Sequence, residues 1–244
     1  MNSTKVKVKN IFGTVVSLKD GVAKVVGMPF IKSGEMVYLG VKHIKSSSPN
    51  GMVLSLHKDF MQVLTFDKAI PIIRCGDFVK RSLILTSIAL SLHLFGRTVD
   101  ALANPIDGLG FFCSKLQKKV DTKAIGIIPR ESVKEPMQTG VVAIDALTPV
   151  GCGQRELIIG DRQTGKTSLA LDTIITQLSF NYTYCIYVGV GQKSASVAKI
   201  NSFFFDSEVY KTHARSKLLL VTCSPSESAV LQFLAPYTGC TLGE

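Results

Sequence analysis

At 244 residues, with 46% hydrophobic and 19% charged residues, the chain can bury a sizeable core, and its composition is not that of a disordered protein. The net charge of +10 comes from scattered lysines with no run interleaving aromatics with Arg or Lys, so it is read as a solvated surface or one that meets acidic partners, with no nucleic acid expected. Six cysteines without a C-x-x-C pair, and four scattered histidines, exclude a zinc site and a small disulfide scaffold and predict buried, reduced thiols.

The opening MNSTKVKVKN has no apolar block, and the first arginine is Arg74, so neither a secretory signal nor an Arg-rich transit peptide is expected. Residues 5 to 85 read as short strands punctuated by turns. FGTVVSLKDGVAKVVGMPF carries β-branched residues on both sides of Lys19-Asp20-Gly21, an Asp-Gly hairpin signal. SGEMVYLGVKHI and GMVLSLHKDFMQVLTF repeat the pattern around KSSSPNG, which predicts a small barrel or sandwich. The apolar run from Leu83 to Phe95 is shorter than the roughly 20 residues of a membrane helix and reads as core strand.

From Gly96 the texture changes. GRTVDALANPIDGLG has Asn-Pro and Asp-Gly turns and reads as a connection. RELIIG is an expected strand, KTSLALDTIITQL a helix, YTYCIYVGVG a strand, SASVAKINSFFF a helix, SKLLLVTCS a strand and SESAVLQFLAPY the start of another helix. Alternating strands and helices predict a parallel sheet with covering helices. Phe203-Phe204-Phe205 reads as the end of a core helix rather than a partner surface, and Asp145 and Asp172 as turn or helix-surface residues rather than a catalytic pair.

Between the expected RELIIG strand and its helix runs G-x-x-x-x-G-K-T, from Gly160 to Thr167. Strand, glycine-rich loop and helix in that order make the pattern a phosphate cradle. Gly160 and Gly165 allow backbone geometry that lets successive N–H groups converge on phosphate oxygens. The helix N-terminus adds its positive dipole end. Lys166 reaches the β- and γ-phosphates, and the Thr167 hydroxyl ligates magnesium. Such a site also wants an acidic residue at the end of a neighbouring strand. The strand near Tyr184–Val190 runs into Gly-Gln-Lys, however, and the one near Leu218–Val221 into Thr-Cys-Ser. Gln192 cannot take a proton from an attacking water, although it can orient one. On this chemistry the chain binds nucleotide and hydrolyses it poorly.

The stretch PRESVKEPMQTGVVAIDALTPVGCGQRELIIGDRQTGKTSLALDTI, with YVGVGQKSASVAK downstream, closely resembles the α subunits of F-type ATP synthases. GTVVSLKDGVAKVVGM and GEMV resemble the family's N-terminal barrel, and GRTVDALANPIDG its entry into the nucleotide-binding domain, so the likeness covers nearly the whole chain. It implies a β-barrel over residues 1–85, followed over residues 86–244 by the first half of a RecA-like P-loop α/β domain. Asp161, Arg162, Gln163 and Thr164 fill the loop as in α subunits, whereas catalytic β subunits use small residues there. Gln192 stands where β subunits carry a catalytic glutamate.

The resemblance thus implies no catalytic residue in this chain. It implies a site for ATP or ADP with Mg, formed by Gly160, Asp161, Arg162, Gln163, Thr164, Gly165, Lys166, Thr167 and Gln192, with Thr167 on the metal. Partners implied are β subunits alternating in a ring, the γ shaft and the peripheral stalk, with the membrane met only through the complex. The family's acidic magnesium strand and C-terminal helical domain have no counterpart in the sequence, and its leading helix is missing or very short. A second chain completing the α subunit is therefore expected. Ser194 replaces the basic residue usual after GQK, the Leu83–Phe95 region is more apolar than is usual, and SFNYT is a shortened loop. The resemblance implies an energy-coupling membrane, bacterial, thylakoid or mitochondrial; composition and the lack of a targeting segment fit an organelle-encoded chain, and the expected split fits the matrix side of the mitochondrial inner membrane best. Two rival readings are a related catalytic hexameric ATPase, disfavoured by Gln192 and the loop filling, and a ring scaffold without nucleotide, disfavoured by the intact Gly160, Gly165, Lys166 and Thr167.

Overall fold

The computed structural model describes residues 11–19, 21–40, 49–66, 73–112, 114, 116–120, 122, 124–180 and 183–244. The KVKVK segment, Asp20 of the expected hairpin, Cys113 and the centre of SFNYT lie outside the described residues. Six antiparallel strands come first: β1 (Phe12–Lys19), β2 (Val22–Val26), β3 (Glu35–Leu39), β4 (Gly51–Leu56), β5 (Met61–Thr65) and β6 (Phe78–Leu85). They close in the order β1-β2-β5-β4-β3-β6, so of barrel and sandwich the barrel forms. Alternation decides which side chains point inward: Val15, Ala23, Val25, Val37, Leu39, Val53, Val63 and Val79 fill the interior. Each fully buried Val or Leu contributes about 1.5–3 kcal/mol. Register shifts at Val15/Ser17, Glu35/Val37 and Val53/Ser55 bend the strands enough to close the ring. At Gly51 a Cβ would lie 2.5 Å from Leu39 Cδ1 and 2.9 Å from the Leu64 carbonyl, so only glycine lets β4 approach its neighbours this closely.

One ion pair is sealed at the β3–β6 seam. Arg81 donates from Nε to Glu35 Oε1 at 2.9 Å and from Nη2 to Oε2 at 2.8 Å. The backbone N–H groups of Lys32 and Leu83 also donate to this carboxylate. Burial alone would push the Glu35 carboxyl up, but Arg81 and the two backbone donors outweigh it and hold the group below its ordinary value. Leu83, which presents one of those donors, has φ 62°, a left-handed conformation unusual for a branched side chain.

The second region begins with β7 (Ser87–Leu90), a 3-10 turn at Leu92–Leu94 and β8 (Thr98–Val99). Next come β9 (Leu116–Lys119), β10 (Pro136–Met137), α1 (Val142–Leu147), β11 (Val150–Gly151) and α2 (Lys166–Phe180). The chain then runs through β12 (Cys185–Val190), α3 (Ser194–Phe205), α4 (Lys211–Lys217), β13 (Leu218–Cys223) and α5 (Ala229–Gly243). The apolar run that read as one core strand is divided among β6, β7 and the 3-10 turn, and β7 pairs antiparallel with β9. A parallel sheet forms in the order β12-β13-β8, as the alternation of strands and helices predicts.

β13 is the centre of this sheet and all six of its residues are buried. Leu218 and Leu220 pack with Leu178 of α2, Ile200 and Phe204 of α3 and Ala214 of α4. Leu219, Val221 and Cys223 pack with Ala235 of α5 on the other face. α5 lies close because Gly239 has no side chain: a Cβ there would sit 2.4 Å from Val188 Cγ2. Buried hydroxyls fix the helix along its length, Thr238 donating to the Ala101 carbonyl at 2.6 Å and Thr241 to the Val120 carbonyl at 2.9 Å. Phe204 and Phe205 are buried, in keeping with the core reading of the triple phenylalanine, while Phe203 stays half-exposed.

Two expectations fail. RELIIG does not form a strand: residues 155–160 pair with no strand among the described residues, and Leu157 and Ile159 are 79% and 81% exposed. A strand exists only with a hydrogen-bonded neighbour, and a groove of about 560 Å³ lies between this segment, α2 and β12. The thiols are not mostly buried either. Cys75, Cys152 and Cys240 are exposed, Cys185 is intermediate and only Cys223 is buried among the described cysteines, none of which forms a disulfide. Apolar neighbours in sequence do not bury a residue placed on a turn or on the outer face of a helix. Among the described residues no helix is long and apolar enough to cross a membrane.

Candidate functional site

The eight residues from Gly160 to Thr167 form one continuous loop that enters α2 at Lys166. Gly165 turns the chain with φ 87°, and Gln163 adopts φ 63°, so two left-handed residues curl the backbone just before the helix. The first bond of the helix, from Leu169 N–H to the Gly165 carbonyl, is 2.9 Å. At Gly160 a Cβ would fall 2.7 Å from Thr164 Oγ1, so the bare backbone there belongs to the shape of the cradle. Thr164 Oγ1 donates to the Asp161 carbonyl at 2.9 Å, pinning the loop across its mouth.

Lys166 folds back over this loop. Its ammonium donates to the Gly160 carbonyl at 2.6 Å, to the Asp161 carbonyl and to Thr164 Oγ1 at 3.4 Å. Asp161, Arg162, Gln163 and Thr167 are exposed. The first turn of α2 contains no acidic residue, so its unpaired N–H groups and the Lys166 charge meet no competing carboxylate within that turn. This chemistry fits a polyphosphate: a helix N-terminus, a glycine-bounded loop and the cationic Lys166 and Arg162. For magnesium the protein offers the Thr167 hydroxyl. No cluster of three or more His, Cys, Asp or Glu able to hold a metal exists among the described residues.

Gln192 stands apart from the loop, just beyond the carboxyl end of β12, where Gly191 turns the chain with φ 63°. Its Nε2 donates to the Tyr187 hydroxyl at 2.7 Å. Its Oε1 is buried and has no hydrogen-bond partner among the described residues. No hydrogen bond joins Gln192 to the 160–167 loop among the described residues. Instead it borders a pocket of about 310 Å³ where Thr98, Asp107, Asn201, Thr222 and Glu227 meet the apolar Ile106 and Val197.

This pocket contains carboxylates that inspection of strand ends overlooked. Asp107 comes from the NPIDG turn and is gripped by Arg97 through Nε to Oδ2 and, at 2.7 Å, Nη2 to Oδ1. Burial pushes the Asp107 carboxyl up, but Arg97 and the N–H groups of Leu109 and Thr98 hold it below the ordinary value. Glu227 lies on the turn after β13 and accepts from the Cys223 thiol at 2.9 Å. Neither had a sequence signal, since one sits in a generic turn and the other four residues beyond its strand. Asp145 is likewise a local brace, accepting from the Thr139 hydroxyl and N–H and from the Gly140 N–H.

Residues 140–244 match the model of the ATP synthase alpha/beta family, nucleotide-binding domain. The matched segment holds the whole phosphate loop, α2, Gln192 and the central strand β13. With the barrel in front, the arrangement is a six-stranded antiparallel β-barrel followed by the start of an α/β nucleotide-binding domain with a parallel sheet.

Proposed function

We propose, on the premise that residues 140–244 carry the nucleotide-binding domain of the ATP synthase alpha/beta family, that this chain is a non-catalytic α-type subunit of an F-type ATP synthase that binds Mg-ATP or Mg-ADP. The observation that carries the proposal is the loop from Gly160 to Thr167, with its left-handed turn at Gly165 running straight into α2. Gly160 and Gly165 cradle the phosphates, Lys166 leaves its carbonyl partners to meet the β- and γ-phosphates, and Thr167 ligates the magnesium. Asp161, Arg162, Gln163 and Thr164 supply the α-type filling. A glutamine at position 192 supports a holding site rather than a hydrolytic one, since an amide cannot remove a proton from water.

In this reading the chain takes its place between β subunits around the γ shaft, with contact to the peripheral stalk, on the matrix side of the mitochondrial inner membrane. Further strands beside residues 155–160 complete the sheet. The unpaired 155–160 segment and the open groove beside β12 support that last part, because further strands there would satisfy backbone groups and cover Leu157.

The test is a titration of the chain with a fluorescent ATP analogue and magnesium, alongside Lys166→Ala. Binding without phosphate release is expected, weakened about a hundredfold by the substitution, since a charge-assisted bond contributes about 1.5–3 kcal/mol. Equal binding by both proteins would remove the nucleotide site. Denatured masses and peptide sequences from the native assembly test the partner assignment: β subunits should co-purify.

A further inference from the structure

We infer that the crevice where the barrel meets α5 binds a small amphipathic anion, a carboxylate carried on a compact aromatic or aliphatic body. The inference stands apart from the nucleotide reading, since no residue of the 160–167 loop lines this crevice. The two regions share one apolar core here: Met36, Met52, Leu64 and Phe66 cluster with Val230 and Leu234 of α5. Beside that core the packing leaves a cavity of about 360 Å³, within the range of small-molecule sites. Met52, Val53, Val120 and Leu234 line it as buried apolar side chains, while Leu54, Phe233 and Tyr237 line it and are exposed. Phe233 and Tyr237 stand one helical turn apart on α5, with ring centroids 5.0 Å apart. Exposed rings continuous with a buried apolar floor give the apolar body of a ligand a surface to cover.

The polar groups of the cavity select the charge. Ser33 donates to the Leu54 carbonyl at 2.9 Å and Thr86 to the Gly34 carbonyl at 3.0 Å, so both O–H donors are used. Lys119 and Tyr237 also line the cavity, and neither side chain has a hydrogen-bond or ion-pair partner among the described residues. The neighbouring Lys118 of β9, by contrast, meets Glu244 at 3.0 Å. Among the described residues no Asp or Glu lines the cavity, and Lys119 is its one charged group. An ammonium and a phenol O–H both donate to carboxylate oxygens. A cationic ligand would meet Lys119 with nothing to offset it, and a neutral one would leave the ammonium to water.

Calorimetric titration of the whole chain with 2-naphthoate, its methyl ester and the cationic 2-naphthylmethylamine tests this, with Lys119→Gln and Tyr237→Phe alongside. Naphthoate should bind one per chain, and the ester and the amine at least about threefold more weakly. Lys119→Gln should weaken naphthoate binding about three- to tenfold, as expected for an exposed charge-assisted bond, and Tyr237→Phe about threefold. Raising the salt concentration should weaken naphthoate and leave the ester unchanged. Neither substitution removes a polar partner of another side chain, so the ligand-free melting temperatures should match that of the unmodified chain. No saturable binding of naphthoate, equal binding of all three probes, or undiminished binding by either variant would overturn the site. None of these results would touch the nucleotide reading, which the titration with the fluorescent ATP analogue decides separately.

Discussion

The barrel and the parallel sheet are built from similarly apolar strands, yet they treat strand edges differently. Every barrel strand has two neighbours, so its inward residues are sealed and even a charged pair, Glu35 and Arg81, is held there. In the parallel sheet the central β13 is buried throughout, as are the two residues of β8, whereas the edge strand β12 is not. β12 is half-buried, and beyond its open side Leu157 and Ile159 face outward. The difference shows that hydrophobicity offers a residue to the core, while paired neighbours decide whether it enters.

The contrast breaks most sharply at Glu35. Glu35→Gln leaves Arg81 without its partner in a buried seam and should cost about 3–5 kcal/mol, read as a lower unfolding midpoint of the barrel at pH 7. A cost below about 1 kcal/mol would mean the seam is far wetter than its 2% exposure indicates. The same group sets an acid limit. Because its folded value lies below the ordinary 4.5, its contribution is complete above that pH and is lost as pH falls through the lower folded value. Unfolding measured across that window should show this loss in the native chain and not in Glu35→Gln.

A smaller effect is expected where α5 meets β12. Gly239→Ala forces a methyl against Val188 Cγ2 and should destabilise the second region by about 1–3 kcal/mol, leaving the barrel's own transition unchanged. Movement of both transitions would show that the two regions unfold together. The smallest effect belongs to the exposed segment. Leu157→Ser with Ile159→Ser should change stability by no more than about 0.5 kcal/mol while reducing self-association in sedimentation. A large loss of stability would show that these side chains already have a protein surface to cover them.

Local signals accounted for much of the fold. Short runs of β-branched residues around Val15, Val25, Val37 and Val63, punctuated by turn signals, were enough for a β domain, because such side chains pack well on a pleated surface. α3 begins and ends at the residues its periodicity marks, Ser194 and Phe205. By contrast, α4 carries little apolar pattern, and only Ala214 is buried, so it went unseen. The candidate site divides in the same way. The loop from Gly160 to Thr167 is a contiguous string whose geometry follows from its own glycines, and it was legible at once. The tyrosine that holds Gln192, and the Asp107 and Glu227 carboxylates near it, come from separate strands and turns.

The sequence by itself determined a β region, an α/β region and a phosphate loop, because alternation, helical period and glycine spacing act over a few residues. Only the tertiary structure decided that six strands close into a barrel, that RELIIG lies unpaired, that most thiols are not buried and that Gln192 hydrogen-bonds Tyr187. Each of these depends on which distant backbone or side chain comes within hydrogen-bonding or packing distance, and short-range patterns do not specify that.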